Sequence, residues 1–240
     1  GTGGCVFCPA DGGRASQIQN ASTLEEQIAQ GIAFARERYR AREFMAYVQA
    51  FTGTFAPRSE QRRLIERILE RFPFRAVSVG TRPDCLAPAV VEALCEWKEA
   101  TDVWVELGVQ SAHDRTLRTI RRGHSWAQSR DAAKRLRQAG LRTAVHLITG
   151  LPGETRDDLR ATAKAVADLP IDGVKIHNLH VLRGTALAEW HAERPLNPPD
   201  EYEHAEMVMD ILRRMPANVA VMRVQTDSED TERIAPRWTM

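Results

Sequence analysis

Val103-Trp104-Val105-Glu106-Leu107-Gly108-Val109, then a helical stretch over residues 129–138 stopped by Gly140, then Arg142-Thr143-Ala144-Val145-His146-Leu147-Ile148, reads as strand, helix, strand. Both outer segments are short apolar runs rich in β-branched residues, as buried parallel strands are. Reading outward in both directions extends the alternation. Ahead of this unit, Ala76-Val77-Ser78-Val79 ends at Gly80 and leads to a helix carrying Val90, Val91, Leu94 and Cys95, the last reading as plain core. Before that strand, Leu64, Ile65, Ile68, Leu69 and Phe72 share one helical face while Arg62, Arg63, Glu66 and Arg67 point away. A further pair, helix 24–38 and strand 44–49, precedes it. Downstream come helix 156–169, a strand predicted over 174–182, and helix 201–215 ending before Pro216.

About five β-then-α units predict an α/β fold with a parallel sheet and right-handed crossovers, either an open doubly wound sheet or a barrel. No G-x-G-x-x-G follows the first strand and no P-loop occurs, which favours a full or partial (β/α) barrel. In a barrel the chemistry sits on the loops after the strand C-termini. The chain reads as one domain over 1–240, with residues from about 200 onward as a C-terminal extension packed on it.

The 240 residues carry 43% hydrophobic and 27% charged side chains and a formal charge of +1, ordinary globular values that exclude a fibre or a disordered linker. No apolar run of membrane-spanning length and no signal-peptide pattern occurs, so no membrane partner and a cytoplasmic location are expected. Four cysteines, at 5, 8, 85 and 95, are too few and too unevenly placed for a disulfide scaffold.

Cys5-Val6-Phe7-Cys8 is a C-x-x-C in a Gly-rich loop. Zinc knuckles, thioredoxin-like sites and iron–sulfur clusters all use that spacing. Zinc calls for a second such pair or a pair of histidines, and a thioredoxin site for a helix start directly after a strand. Residues 115–142 hold nine Lys or Arg against one acid, a local charge of +8, whereas residues 200–232 hold nine acids and three arginines, −6. The basic stretch suits a phosphate backbone, and equally the solvated face of surface helices.

Glu106-Leu107-Gly108-Val109-Gln110-Ser111 with Asp114, Leu117 and Arg122-Gly123-His124 resembles the radical S-adenosylmethionine (SAM) superfamily, in particular the branch that includes the catalytic subunit of Elongator. Lys175-Ile176-His177 and Val181-Leu182-Arg183-Gly184-Thr185 with Leu187 and Trp190 are similar to the same branch. Gly80-Thr81-Arg82-Pro83-Asp84-Cys85-Leu86 and residues 177–185 are closer still to a bacterial radical SAM family. The resemblance covers nearly the whole chain.

It implies a partial (β/α) barrel, a [4Fe-4S] cluster held by three thiolates, and SAM on the open iron. Cys5 and Cys8 match two metal ligands; the other is expected upstream of Gly1, as is the first barrel strand, so the chain reads as N-terminally truncated. Gln49, Thr52, Glu106, Gln110, Ser111, Arg122, His146, Gly150 and Glu154 match positions that contact SAM, Arg122 meeting its carboxylate. An arginine suits that task because its planar fork binds carboxylate bidentately. Gly150-Leu151-Pro152-Gly153-Glu154-Thr155 lies against the adenosine in the family, and Thr155 also reads as a helix cap. Cys85, Lys175 and His177 are the candidate catalytic residues, Lys175 and His177 alternating on one strand and so sharing a face. The implied function is reductive cleavage of SAM to a 5′-deoxyadenosyl radical that takes hydrogen from a substrate, with an external electron donor and with tRNA, through the basic face, as the expected partner and a wobble uridine as target. Two other classes stay open: a non-catalytic nucleic-acid-binding or scaffold barrel, and an aldolase-like barrel with Lys175 as Schiff base.

Overall fold

The computed structural model describes residues 4–9, 18, 20–49, 52–226, 228 and 230–238. Six strands, β1 (Met45–Val48), β2 (Ala76–Thr81), β3 (Asp102–Gln110), β4 (Arg142–Thr149), β5 (Gly173–Asn178) and, after β6 (Val181–Leu182), β7 (Ala220–Arg223), form one parallel sheet in the order β1-β2-β3-β4-β5-β7. Strands that follow one another in space as in sequence place every crossover on one side, and the sheet curls into a half-barrel. The crossovers carry α1 (Leu24–Tyr39) ahead of β1, then α2 (Arg58–Arg71), α3 (Pro88–Cys95), α4 (Asp114–Thr119), α5 (Trp126–Gln138), α6 (Arg156–Ala167), α7 (Ala186–Glu193) and α8 (Glu201–Leu212).

Local chemistry fixes the helix starts. Thr23 with Glu26, Ser125 with Gln128, Thr155 with Asp158 and Asp200 with Glu203 each close a reciprocal capping box, satisfying amide groups that the first helical turn leaves unpaired. On α2, Ile65 and Ile68 are buried and the arginines lie outside.

The two faces of the sheet differ sharply. Val77, Val79, Val105, Leu107, Val109, Val145, Leu147, Val174 and Ile176 face the helices and form the main core, almost all completely buried. The alternate residues face the concave side. There Ala76, Trp104, Ala144 and Met222 make a small apolar floor at the N-terminal ends of the strands. Above it stand Ser78, Glu106, His146 and Lys175, and above those Gly80, Gly108 and His177. A parallel sheet with helices on one side and polar or small residues on the other keeps its concave face for a ligand.

The strand expected over 174–182 is divided. β5 stops at Asn178, whose side-chain carbonyl accepts from Thr226 N (2.9 Å) and whose amide meets His180 Nε2 (2.7 Å), while β6 pairs antiparallel with β8 (Arg233–Ala235). Side-chain bonds from Asn178 to a distant segment outcompete continuation of the ladder. β7 supplies a strand of the main sheet that apolar patterning misses, because Ala220, Val221 and Arg223 are exposed at its edge. Among the described residues no helix is long and apolar enough to cross a membrane.

Candidate functional site

Cys5 and Cys8 flank a tight turn in which Cys8 N donates to Cys5 O (3.1 Å). The turn is anchored through Val6, whose amide donates to Ile120 O (3.2 Å) and whose carbonyl accepts from Leu187 N (2.8 Å). Val6 is buried among Leu117, Ile120, Ile148, Leu151 and Leu187, so an apolar peg fixes the cysteine loop over the strand ends. Cys5 is buried and Cys8 exposed.

Arg122 connects this loop to β3. Its Nε and Nη2 donate to Gly108 O (3.0 and 2.8 Å) and its Nη1 to Cys5 Sγ (3.1 Å), within a side chain almost closed to solvent. The neighbouring thiol of Cys8, opposed by burial and aided by the Arg122 charge, brings the Cys5 thiol down to about 5, while Cys8 is held above its ordinary value by the same pairing. Such thiolate character is what a soft metal requires. Beside them, Arg82 holds Asp84 through Nε (2.9 Å) and Nη2 (2.5 Å), and Cys85 closes the short 3₁₀ turn, its half-buried thiol pushed up by burial.

At the end of β3, Gln110 adopts a left-handed backbone (φ 69°) where the β3–β4 register shifts, and its Oε1 is buried without a partner among the described residues. A left-handed non-glycine backbone and a buried unmet acceptor are each uncommon, and here they coincide in one residue. Ser111 donates a short hydrogen bond to Glu154, whose carboxyl is raised by burial. Gly150 has φ 78°, and a Cβ there would stand 2.3 Å from Pro199 Cδ, so the glycine is demanded by backbone and packing together.

Deeper in the concave face lies a second polar group. Glu106 accepts from Lys175 Nζ at both oxygens (2.7 and 2.6 Å), from His146 Nε2 (2.6 Å) and from Ser78 Oγ (2.7 Å). Burial alone would raise this carboxyl; His146 and Lys175 outweigh it and bring it down to about 2. Burial lowers Lys175, and the carboxylate against it limits the fall. Lys175 Nζ also sits 4.4 Å from the centre of the Tyr47 ring. His177 stacks on His146, with ring centres 4.9 Å apart, and its Nδ1 meets Thr226 Oγ1.

A model of the Radical SAM superfamily matches residues 2–166, and one of the Radical_SAM C-terminal domain matches residues 171–240. The chain belongs to the radical SAM superfamily. It is similar to the protein YtqA of Bacillus subtilis (strain 168), 37% identical over 99% of this chain and 74% of that one, and to YhcC of Escherichia coli (strain K12), 35% identical over 99% and 76%. Among solved structures it resembles the archaeal Methanocaldococcus infernus Elp3, with TM-score 0.77 and 24% identity over 87% of this chain, and spans about half of that structure (54%).

Radical SAM enzymes use a [4Fe-4S] cluster and SAM. The residues present fit them: two soft thiols in an electropositive loop, an unmet Gln110 Oε1 and a buried arginine at the same strand end. Cys5 and Cys8 would supply two thiolates; among the described residues no three metal-ligating side chains stand together.

The structure thus sorts the residues singled out by sequence. Cys5, Cys8, Cys85, Gln110, Ser111, Arg122, Gly150 and Glu154 gather at the strand C-termini, with Thr52 half-buried and Gln49 exposed in the loop after β1. Glu106, His146, Lys175 and His177 form the deeper group. Sequence reading missed Tyr47, Ser78 and Arg223, which join that group from three other strands; the inward register of Tyr47 and Ser78 was the available signal. The basic face is partly spent within the fold, since Arg115, Arg137 and Arg142 pair with Asp158, Asp172 and Asp102.

Acid sensitivity follows from the buried imidazoles. Burial lowers His146, His177 and His204, and brings His124 down to about 4. A histidine with a lowered folded pKa lets the unfolded chain take up protons first, so stability falls as pH drops below the unfolded value near 6.5. Glu106 adds a second loss between about 4.5 and about 2. Urea midpoints are expected to fall steadily from pH 7 to pH 5; a flat profile there contradicts neutral buried imidazoles.

Proposed function

We propose that this chain is the barrel of a radical SAM enzyme that cleaves SAM reductively and acts on a tRNA wobble uridine. The observation that carries the chemistry is the Cys5–Arg122–Gly108 junction, which joins a thiol turn, a buried cation and the open end of β3. The cluster and SAM, when bound, supply a 5′-deoxyadenosyl radical able to take hydrogen from an unactivated carbon. Cys5 and Cys8 hold iron. Arg122 presents a positive charge for the SAM carboxylate. Gln110 contacts SAM beside Arg122, the Gly150–Glu154 turn lies against the adenosine, and the apolar seat of Val6 keeps water from beneath the cysteine loop.

The tRNA reading is supported by similarity to the tRNA uridine(34) acetyltransferase of Dehalococcoides mccartyi, 30% identical over 62% of this chain and 32% of that one. The exposed Arg118, Arg121 and Arg130 provide cations for a phosphate backbone. An external donor delivers the electron.

The test is 5′-deoxyadenosine formation from SAM by the full gene product after anaerobic reconstitution and reduction, alongside the tRNA nucleoside profile of a deletion strain. Cleavage together with a lost uridine modification is the expected result. An assembled cluster without cleavage points instead to a non-catalytic RNA-binding barrel, and an unchanged nucleoside profile removes the tRNA target.

A further inference from the structure

The concave face holds more cations than its own carboxylate balances. Glu106 is matched by Lys175, which spends two N–H groups on it and presents its charge to the Tyr47 ring. Arg223 lies opposite Lys175 in the β5–β7 register. Its charge acts on Tyr47, His146, Lys175 and His177, residues of three other strands, so the guanidinium faces the interior rather than the helices. Arg223 has no hydrogen-bond or ion-pair partner among the described residues. One positive charge is therefore left over at the open edge of the half-barrel.

A second observation points to the same place. His177 Nε2 is fully buried and has no partner among the described residues, while its other nitrogen is occupied by Thr226 and its ring stacks on His146. A buried ring nitrogen without a partner is costly, and native structures keep one where something else fills the role. The Thr226 hydroxyl can either donate to Nδ1 or accept from it; in the tautomer where it donates, Nε2 carries the proton and is itself a donor. Five guanidinium N–H groups and one imidazole N–H, with no acceptor left free between them, select an acceptor-only ligand. The surplus positive charge repels a metal ion.

We propose that Arg223 and His177 Nε2 bind an oxyanion of the substrate, a carboxylate or a phosphate, and so hold the substrate beneath the SAM end of the barrel. Arg223, exposed on the edge strand, is the cation that an incoming anion meets first. The inference rests on reading the concave face as the substrate side of a radical SAM barrel. It deepens that reading by naming the group that the substrate must carry.

The test is calorimetric titration of the full gene product with inorganic phosphate and, separately, acetate, at ionic strength held constant with sodium chloride. One saturable site is expected. Arg223→Ala should weaken binding about tenfold to a hundredfold, as loss of a charge-assisted hydrogen bond does, whereas Arg63→Ala on the outer face of α2 should leave it unchanged. In the unmutated protein the ¹⁵N resonance of His177 Nε2 should move on saturation, a readout that needs no variant to fold. Phosphate alone saturating supports a nucleotide source, and acetate alone supports a carboxylic acid. No saturation by either anion, an unmoved His177 resonance, or equal weakening by Arg223→Ala and Arg63→Ala overturns the proposal. Formation of 5′-deoxyadenosine in the same preparation is read separately: anion binding without SAM cleavage defeats the radical reading and leaves the oxyanion site standing.

Discussion

Glu106→Ala is expected to lower stability by about 3–5 kcal/mol, the cost of removing one partner of a buried ion pair. The Glu106 side chain is completely closed to solvent and that of Lys175 is 11% exposed, so water cannot replace the lost carboxylate. The substitution strands a lysine ammonium, an imidazole and a serine hydroxyl at once. For a chain of this size about 1 kcal/mol corresponds to about 2–4 °C, so thermal denaturation should move down by about 6–20 °C. The double variant Glu106→Ala/Lys175→Met should recover most of that loss, because the penalty lies in the unpaired charge rather than in the missing bonds. A single variant within about 1 kcal/mol of the parent would mean that the group is solvated and does not organise the interior.

Gly108→Ala is expected to leave the fold standing and cut SAM cleavage about a hundredfold. The strand backbone accepts alanine, but the new Cβ would stand 2.0 Å from Arg122 Nη2 and 2.8 Å from Gln110 Nε2. Arg122 would have to leave Gly108 O and Cys5 Sγ together, and in the proposed mechanism it is the group that meets the SAM carboxylate. Overpacking of this kind costs about 1–3 kcal/mol in stability. A hundredfold drop corresponds to about 2.7 kcal/mol of transition-state stabilisation. The comparison with Arg122→Ala decides the cause: equal losses in the two variants, with SAM affinity weakened in both, assign the effect to the displaced guanidinium. Full activity in Gly108→Ala would show that Arg122 is dispensable for SAM.

Much of this was legible in the chain. Runs such as 103–109 and 142–148 carry β-branched residues on the helix-facing positions, and apolar burial there is dictated by composition alone, so strand, helix and parallel order follow. The capping boxes at Thr155 and Asp200 are equally local. The C-x-x-C, the Gln110–Arg122 spacing and the Lys175–His177 alternation each stood out because a motif of fixed spacing is a property of the sequence. What the sequence left undecided depends on distance in space. Lys175 and Glu106 are 69 residues apart and share two hydrogen bonds. Cys5 and Arg122, 117 residues apart, meet only because the Val6 peg carries the loop across the strand ends. The run over 174–182 has the pattern of one strand, and it is broken by Asn178 reaching Thr226, a partner 48 residues away. Periodicity determined which face of each strand looks inward. Only the curl of the sheet, which brings the concave residues of successive strands within hydrogen-bonding reach, decided that Glu106 is a buried hub and left Arg223 and His177 Nε2 without partners among the described residues.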